Sequence, residues 1–165
     1  MNTSIGILVF ILIPVLFLQG CQSSEQRIRN IVKEELISAV KQTAITGTNV
    51  IGPYSPAQRV GNFLFVSGQI AFNQQTELLE NKDIETETRQ VLDNLMIIMR
   101  KAGFDSSEIV STTIYLKDIN DYVKMNNIYG GYFEEGNYPA RTTIQVAALP
   151  REARIEISAI AYKSK

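Results

Sequence analysis

The 165-residue chain contains no histidine and only one cysteine, Cys21. Without histidine, a Ser-His-Asp triad, a Cys-His pair and the usual zinc sites are excluded. The lone cysteine cannot form a disulfide within the chain. Neither a Walker phosphate loop nor a G-x-G-x-x-G fingerprint occurs, so the sequence predicts no metal and no cofactor.

The chain also lacks an excess of charge of either sign. It carries 16 lysines and arginines against 17 acidic residues, and its pI is about 5.6. No basic stripe with interleaved aromatic residues is visible, so we expect no nucleic-acid partner. The chemistry that remains available is recognition of carboxylates by arginine and acid-base work by glutamate.

The N-terminus is an apolar run from Ile5 to Leu18. This run is shorter than the roughly 20 residues of a membrane-spanning helix and is typical of a secretory signal. A short membrane anchor or a buried helix is the alternative. The sequence Leu-Gln-Gly-Cys that ends at Cys21 resembles a bacterial lipoprotein cleavage box, although no Lys or Arg precedes the apolar run.

We therefore predict a signal peptide over residues 1–20 and lipidation of Cys21. The protein would be an exported lipoprotein held at a membrane. Because Gln22 and not Asp follows the cysteine, we expect the outer membrane in a Gram-negative host.

Residues 21–42 are predicted to form an amphipathic tether helix. Its apolar residues recur at helical spacing and its charged residues lie on the other side, as in Ile28, Ile31, Val32 and Leu36 against Arg27, Arg29, Lys33 and Glu34. The apolar stripe could pack on its own protein, on another copy or on a bilayer, and the sequence does not decide between them.

Residues 43–165 are predicted to form one α+β domain. Strands come first, and Ser67-Gly68-Gln69 interrupts one of them, either as a bulge or to let a ligand approach the backbone. Asp83 is a candidate N-cap of a helix that ends at Gly103, and Ile109–Leu116 reads as a strand. A second helix should run from Asn120 to about Phe133. The predicted fold is a mainly antiparallel sheet with both helices on one face.

The chain should close with a hairpin. A β-prone segment follows Pro139, and apolar and polar residues alternate from Ala153 to Tyr162. With a turn over Leu149–Glu152, Arg141 and Glu156 would share a sheet face and lie roughly 13 Å apart along the strands. That gap would admit a small ligand. The alternative is that both are solvated strand charges.

Four segments in order resemble the RidA (YjgF) family of reactive-imine deaminases. The resemblance covers about Thr43 to Tyr162 and rests on Ile51–Ala57, Phe65–Ile70, Thr88–Leu95 and the stretch from Arg141 through Glu156. It implies a chorismate mutase-like fold and a homotrimer whose sheets form a central barrel with clefts between subunits.

The resemblance also implies an activity and a set of site residues. Short 2-imino acids, such as 2-iminopropanoate and 2-iminobutanoate, would be hydrolysed to 2-oxo acids and ammonia. Arg141 would hold the substrate carboxylate and Glu156 would act on water. Tyr54, Ser67 and Asn126 would line the cleft, together with Thr143, which stands where the family often has cysteine.

Two alternatives to this enzyme remain. One is a non-catalytic module that binds small carboxylates. The other is a ribonuclease, which the charge balance disfavours.

Overall fold

The computed structural model describes residues 24–37, 42–45 and 52–164. The chain divides into two compact units, Met1–Lys41 and Gln42–Lys165. The predicted signal peptide and Cys21 lie outside the described residues. In the first unit, residues 24–37 form helix α1, whose side chains are all exposed within the described structure. None of the helices among the described residues is long and apolar enough to cross a membrane.

Two further helices belong to the second unit. Helix α2, Ile84–Lys101, begins as predicted at Asp83, whose side chain accepts a hydrogen bond of 2.7 Å from the Thr86 amide. It ends before Gly103, which adopts a φ of 79° that favours glycine. Helix α3, Tyr122–Gly130, is shorter than predicted, since a 3₁₀ turn over Ile119–Asp121 precedes it and Asp118 caps that turn.

Six strands of the described residues form the main sheet. They are β1 Gln42–Ile45, β2 Ala57–Val60, β3 Phe63–Gln69, β6 Ile109–Leu116, β7 Ala140–Gln145 and β8 Ile155–Tyr162. A separate two-stranded ribbon contains β4, Phe72–Asn73, and β5, Leu78–Leu79. The spatial order in the main sheet is β1-β2-β3-β8-β6-β7. Strands β6 and β7 pair in parallel, and the other neighbours pair antiparallel.

The predicted closing hairpin is wrong. Strand β6 lies between β7 and β8, pairing Thr112 with Arg141 on one side and with Ala159 on the other. Because β6 and β7 are parallel, the chain must cross over between them, and α3 lies in that connection. The α+β class, with a largely antiparallel sheet and two helices, is as expected.

The helix-covered face of the sheet holds the core. Strand residues such as Leu64, Ile114 and Ile157 are fully buried there. Against them packs the apolar stripe of α2, which includes Val91, Leu92, Leu95, Ile98 and Met99. Each such side chain contributes about 1.5–3 kcal/mol through removal of apolar surface from water.

The other face of the sheet carries no helix within the described structure and is rich in apolar side chains. Phe63 pairs with Tyr162 and Phe65 with Ile160, so their side chains share this face. The ring centroids of Phe63 and Tyr162 lie 5.0 Å apart, yet Phe63 is 44% and Phe65 45% exposed. We call this surface, with Ile144 and Tyr115 at its far end, the open sheet face. Exposed apolar patches of this kind mark interaction surfaces.

Candidate functional site

Arg141 is held by helix α3. The residue begins β7 just after Pro139, and its pairing with Thr112 directs it to the helix-covered face. Its Nη2 donates to the Tyr122 hydroxyl at 2.9 Å and to Asn126 Oδ1 at 2.8 Å. These two acceptors match the two N–H bonds of Nη2, which leaves Nε and Nη1 for a ligand.

Aromatic rings support the same guanidinium. The Arg141 Cζ lies 4.7 Å from the ring centroid of Tyr129 and 5.6 Å from that of Tyr122. Tyr129 is itself fixed by a 2.8 Å hydrogen bond between its hydroxyl and that of Thr112. Burial raises the pKa of the Tyr129 phenol, so it stays neutral beside the guanidinium.

A pocket of about 490 Å³ opens beside Arg141. None of the described carboxylates forms an ion pair with this guanidinium. A half-buried, permanently charged group without a counter-ion favours an anionic ligand. We call this space the arginine pocket, and its lining is Asn126, Tyr129, Gly130, Tyr138, Pro139 and Arg141.

Thr143 shares the face of Arg141 and pairs with Ile114. Its Oγ1 is buried and has no hydrogen-bond partner among the described residues. It does not line the arginine pocket. The structure therefore does not include Thr143 in the lining of this pocket.

Glu156 lies on the open sheet face. It pairs with Tyr115, which also pairs with Ile144, and all three side chains therefore point away from the helices. A second pocket, of about 360 Å³, adjoins it. We call this space the glutamate pocket, and its lining is Tyr54, Ser67, Gly68, Ile70, Pro150, Arg151 and Glu156.

Gly68 makes room for the Glu156 carboxylate. The β3–β8 register shifts between Val66 and Gln69, which identifies the predicted interruption as a bulge. A Cβ built on Gly68 would lie 2.6 Å from the carboxyl carbon of Glu156 and would overlap its Oε1. The bulge is therefore confirmed, and the group that approaches Gly68 is a carboxylate of the same chain. The approach of a ligand to this backbone stays a prediction.

Glu156 is set up to exchange a proton. Burial raises the pKa of its carboxyl above the ordinary value, and no neighbouring cation opposes that shift. The described residues donate no hydrogen bond to it, so its lone pairs are available to water. The Ser67 hydroxyl donates a hydrogen bond of 2.7 Å to the Ser55 carbonyl, so its oxygen can still accept a hydrogen bond. Tyr54 is 48% exposed at the rim.

The structure thus separates the predicted site residues into two groups. Arg141 and Asn126 meet in the arginine pocket, whereas Tyr54, Ser67 and Glu156 meet in the glutamate pocket. The expectation that Arg141 and Glu156 share a sheet face is wrong. Strand β6 lies between their strands, and Arg141 pairs with Thr112 of β6 whereas Glu156 pairs with Tyr115. Because Thr112 and Tyr115 are three positions apart, Arg141 and Glu156 point to opposite faces of the sheet.

Sequence reasoning missed the two tyrosines that position Arg141. Tyr122, Asn126 and Tyr129 stand at positions i, i+4 and i+7 of α3, a spacing that places all three on one helix face. The spacing can be recognised in the sequence. The contact with Arg141 cannot, because Arg141 reaches this helix only through the parallel β6–β7 pairing.

Comparison with known proteins supports the predicted resemblance. The family model described as Endoribonuclease L-PSP matches residues 44–163. A RutC family protein of Pyrococcus horikoshii is 48% identical over 113 residues, covering 68% of this chain and 89% of the relative. The human 2-iminobutanoate/2-iminopropanoate deaminase is 43% identical over 128 residues, covering 78% of this chain and 92% of the relative.

The fold has matches among solved structures as well. The crystal structure of a Rid family protein from Yersinia pestis aligns with a TM-score of 0.72 at 40% identity, covering 74% of this chain and 100% of that chain. This agreement extends over the domain that contains both pockets. The chain belongs to the YjgF/RidA family, whose domain is the one described as Endoribonuclease L-PSP.

Proposed function

We propose that the protein is a hydrolytic deaminase that converts short 2-imino acids, such as 2-iminopropanoate and 2-iminobutanoate, to 2-oxo acids and ammonia. The observation that carries the proposal is the Arg141 guanidinium, which has no ion pair with a described carboxylate and lines a pocket of about 490 Å³. A guanidinium suits a carboxylate, because it combines a permanent positive charge with several N–H donors. Similarity to the human deaminase supports the imine as the reacting group.

The proposed site is completed by a second copy of the chain. Arg141 lies on the helix-covered face of β7, the edge strand of the sheet, and Glu156 lies on the open sheet face. In a closed ring of identical subunits, the open sheet face of one copy can cover the β7 edge of the next. We propose a homotrimer, in which the arginine pocket of one subunit meets the glutamate pocket of its neighbour.

In that arrangement each residue has a distinct role. Arg141 binds the substrate carboxylate by its charge and through an N–H group of Nε or Nη1, while Tyr122 and Asn126 keep Nη2 in place. Glu156 takes a proton from water as the water oxygen bonds to the carbon of the protonated imine. The same proton then passes to the nitrogen of the tetrahedral intermediate, the C–N bond breaks as ammonia leaves, and Glu156 takes the proton of the added hydroxyl as the carbonyl of the 2-oxo acid forms. General acid-base assistance of this kind contributes roughly 10²–10⁴-fold.

A second candidate is a non-catalytic module that binds small carboxylates. The arginine pocket is complete within one subunit, so it can hold a carboxylate without Glu156. Both candidates predict that small carboxylates bind, but only the enzyme predicts hydrolysis of imines.

The deciding experiment uses the whole chain and imines made in situ by an amino acid oxidase from alanine or 2-aminobutanoate. Semicarbazide competes for the free imine and forms an ultraviolet-absorbing semicarbazone. The deaminase should lower semicarbazone yield in proportion to enzyme concentration, and Glu156→Gln should abolish that effect. If the wild type binds 2-oxobutanoate yet leaves semicarbazone formation unchanged, the binding module replaces the enzyme.

We also propose a lipid anchor on Cys21, supported by the cleavage-box resemblance and the apolar run before it. Two or more acyl chains hold a protein at a membrane far better than one. Cells that express the wild-type protein should incorporate a clickable palmitate analogue into it, and the Cys21→Ser variant should carry no label. Labelling that persists in the variant would exclude this site.

A further inference from the structure

The loop before β8 holds an arginine in a conformation that ordinary residues rarely adopt. Arg151 and Glu152 have φ values of 54° and 58°, in the left-handed region. Such positions cost on the order of 1–3 kcal/mol each for a residue with a side chain, so the surrounding contacts must hold them. The Lys117 ammonium provides one such contact, 2.7 Å from the Glu152 carboxylate. The Ala153 amide provides another by donating to the Pro150 carbonyl at 3.2 Å.

This backbone directs the Arg151 side chain into the glutamate pocket. Its Cζ lies 4.9 Å from the centroid of the Phe72 ring, and the residue lines the same pocket as Glu156. Stacking of a guanidinium on an aromatic ring leaves its edge N–H groups free to donate.

None of the described carboxylates forms an ion pair with the Arg151 guanidinium. It also does not lower the pKa of Glu156, which burial alone raises. The residue is exposed at the pocket wall, so the pocket contains a solvated cation that is accessible to an anionic ligand.

We propose that Arg151 binds a second carboxylate of the substrate and so makes the site selective for dicarboxylic 2-imino acids, the imines of acidic amino acids. This inference rests on the proposed function and names the substrate class of the same site. Arg141 binds the carboxylate beside the imine carbon, and Arg151 of the neighbouring subunit binds the carboxylate at the far end of the side chain.

The two cations of the proposed site could each bind one carboxylate. The assembled site contains two arginines and one glutamate, Arg141, Arg151 and Glu156. A dicarboxylic substrate pairs with both arginines, whereas a substrate with one carboxylate leaves the Arg151 guanidinium without a partner. The far carboxylate binds to Arg151 and not to Glu156, whose ionised form acts on water.

The test compares two substrate classes on the whole protein. Imines are made in situ by oxidases acting on glutamate or aspartate, and on alanine or 2-aminobutanoate. We expect the wild-type kcat/KM to be about 10–100-fold higher for the dicarboxylic imines, the range given by one charged hydrogen-bonded contact. Arg151→Met should lower that ratio by a similar factor, and Arg151→Lys should restore part of it.

A matched control and a binding measurement complete the design. Arg100→Met removes an exposed guanidinium that lines a different pocket and should keep the wild-type ratio. Calorimetry should show tighter binding of 2-oxoglutarate than of 2-oxobutanoate by the wild type, and a loss of that preference in Arg151→Met.

The outcomes separate this inference from the proposed function. If the wild type hydrolyses neither imine but binds 2-oxoglutarate in an Arg151-dependent way, deamination is wrong and the Arg151 inference stands. If the wild type hydrolyses both imines with equal kcat/KM, or if Arg151→Met changes both equally, the Arg151 inference is overturned and deamination stands.

Discussion

At the scale of single residues, the chemistry depends on how one guanidinium is held. Both N–H bonds of Arg141 Nη2 have acceptors on α3, and the rings of Tyr122 and Tyr129 lie close to the guanidinium. This network fixes the orientation of the remaining donors before any ligand arrives. Preorganised donors avoid the loss of side-chain freedom that would otherwise oppose binding.

Arg141→Lys tests whether geometry matters beyond charge. Lysine keeps the positive charge but cannot satisfy Tyr122 and Asn126 and grip a carboxylate at the same time. We expect kcat/KM for imine hydrolysis to fall at least about 100-fold, the loss of two charged hydrogen bonds. Calorimetric titration with a 2-oxo acid should show a parallel loss of affinity. Wild-type kinetics and affinity in Arg141→Lys would exclude the proposed grip.

The pH dependence of turnover tests Glu156. Its carboxylate must be ionised to take a proton from water, and burial raises its pKa above the ordinary 4.5. Activity should therefore fall as pH decreases through a value above 4.5, measured as kcat/KM between pH 4 and 8. The folded state should persist over that range by circular dichroism. If the residual kcat/KM of Glu156→Gln still falls at low pH in the same way, the titration belongs to another group.

At the scale of elements, α2 is tied to the loop before β8 by a buried carboxylate. Glu87, in the first turn of α2, is 0% exposed and accepts a 2.8 Å hydrogen bond from the Arg154 amide through Oε2. Its Oε1 has no hydrogen-bond partner among the described residues and lies 3.8 Å from Arg154 Nε. Burial raises the pKa of this carboxyl above its usual value, and the hydrogen bond and Arg154 oppose the shift without cancelling it.

Glu87→Gln should therefore change the pH dependence of stability. Because the pKa is higher in the folded state, the folded chain binds more protons than the unfolded chain, and stability falls as pH rises from about 4.5 through the folded pKa. The glutamine cannot titrate and lacks this loss. Urea unfolding at several pH values should show that the difference in unfolding free energy, variant minus wild type, grows with pH. A difference that is constant with pH would contradict the raised pKa.

The elements also show what the sequence could and could not provide. The Asp83 cap, the Gly103 end and the bounds of Ile109–Leu116 follow from local chemistry and were predictable. The closing hairpin was not, because the alternation in β8 is the same whether its neighbour is β7 or β6. Strand pairing is decided by non-local packing, and here it changes the face on which Arg141 lies relative to Glu156.

Two features of the pockets could not have been read from sequence alone. Arg151 looked like an ordinary turn residue, and only its left-handed backbone and its contact with Phe72 bring it into the glutamate pocket. Thr143 was predicted to line the cleft through the family resemblance. Its hydroxyl is buried and the residue is not part of the lining of the arginine pocket, which a sequence motif cannot resolve.

At the scale of the whole molecule, the open sheet face and the two separated pockets have a common explanation. Phe63, Phe65 and Ile144 are each 44–45% exposed, and burying such a face against other copies removes apolar surface from water. The same association would bring Arg141 and Glu156 of different subunits together. In this proposal, stability and catalysis both depend on one interface.

Mixing two inactive variants tests this central claim most directly. Arg141→Ala and Glu156→Ala should each be inactive as homotrimers. When the two are coexpressed with different tags and mixed trimers are purified, each mixed ring has one junction with an intact Arg141 facing an intact Glu156. The purified mixed trimers should therefore show about one third of the wild-type activity, and the unfractionated random mixture at equal amounts about one quarter. If mixed trimers form but remain as inactive as their parents, Arg141 and Glu156 do not act across a subunit interface.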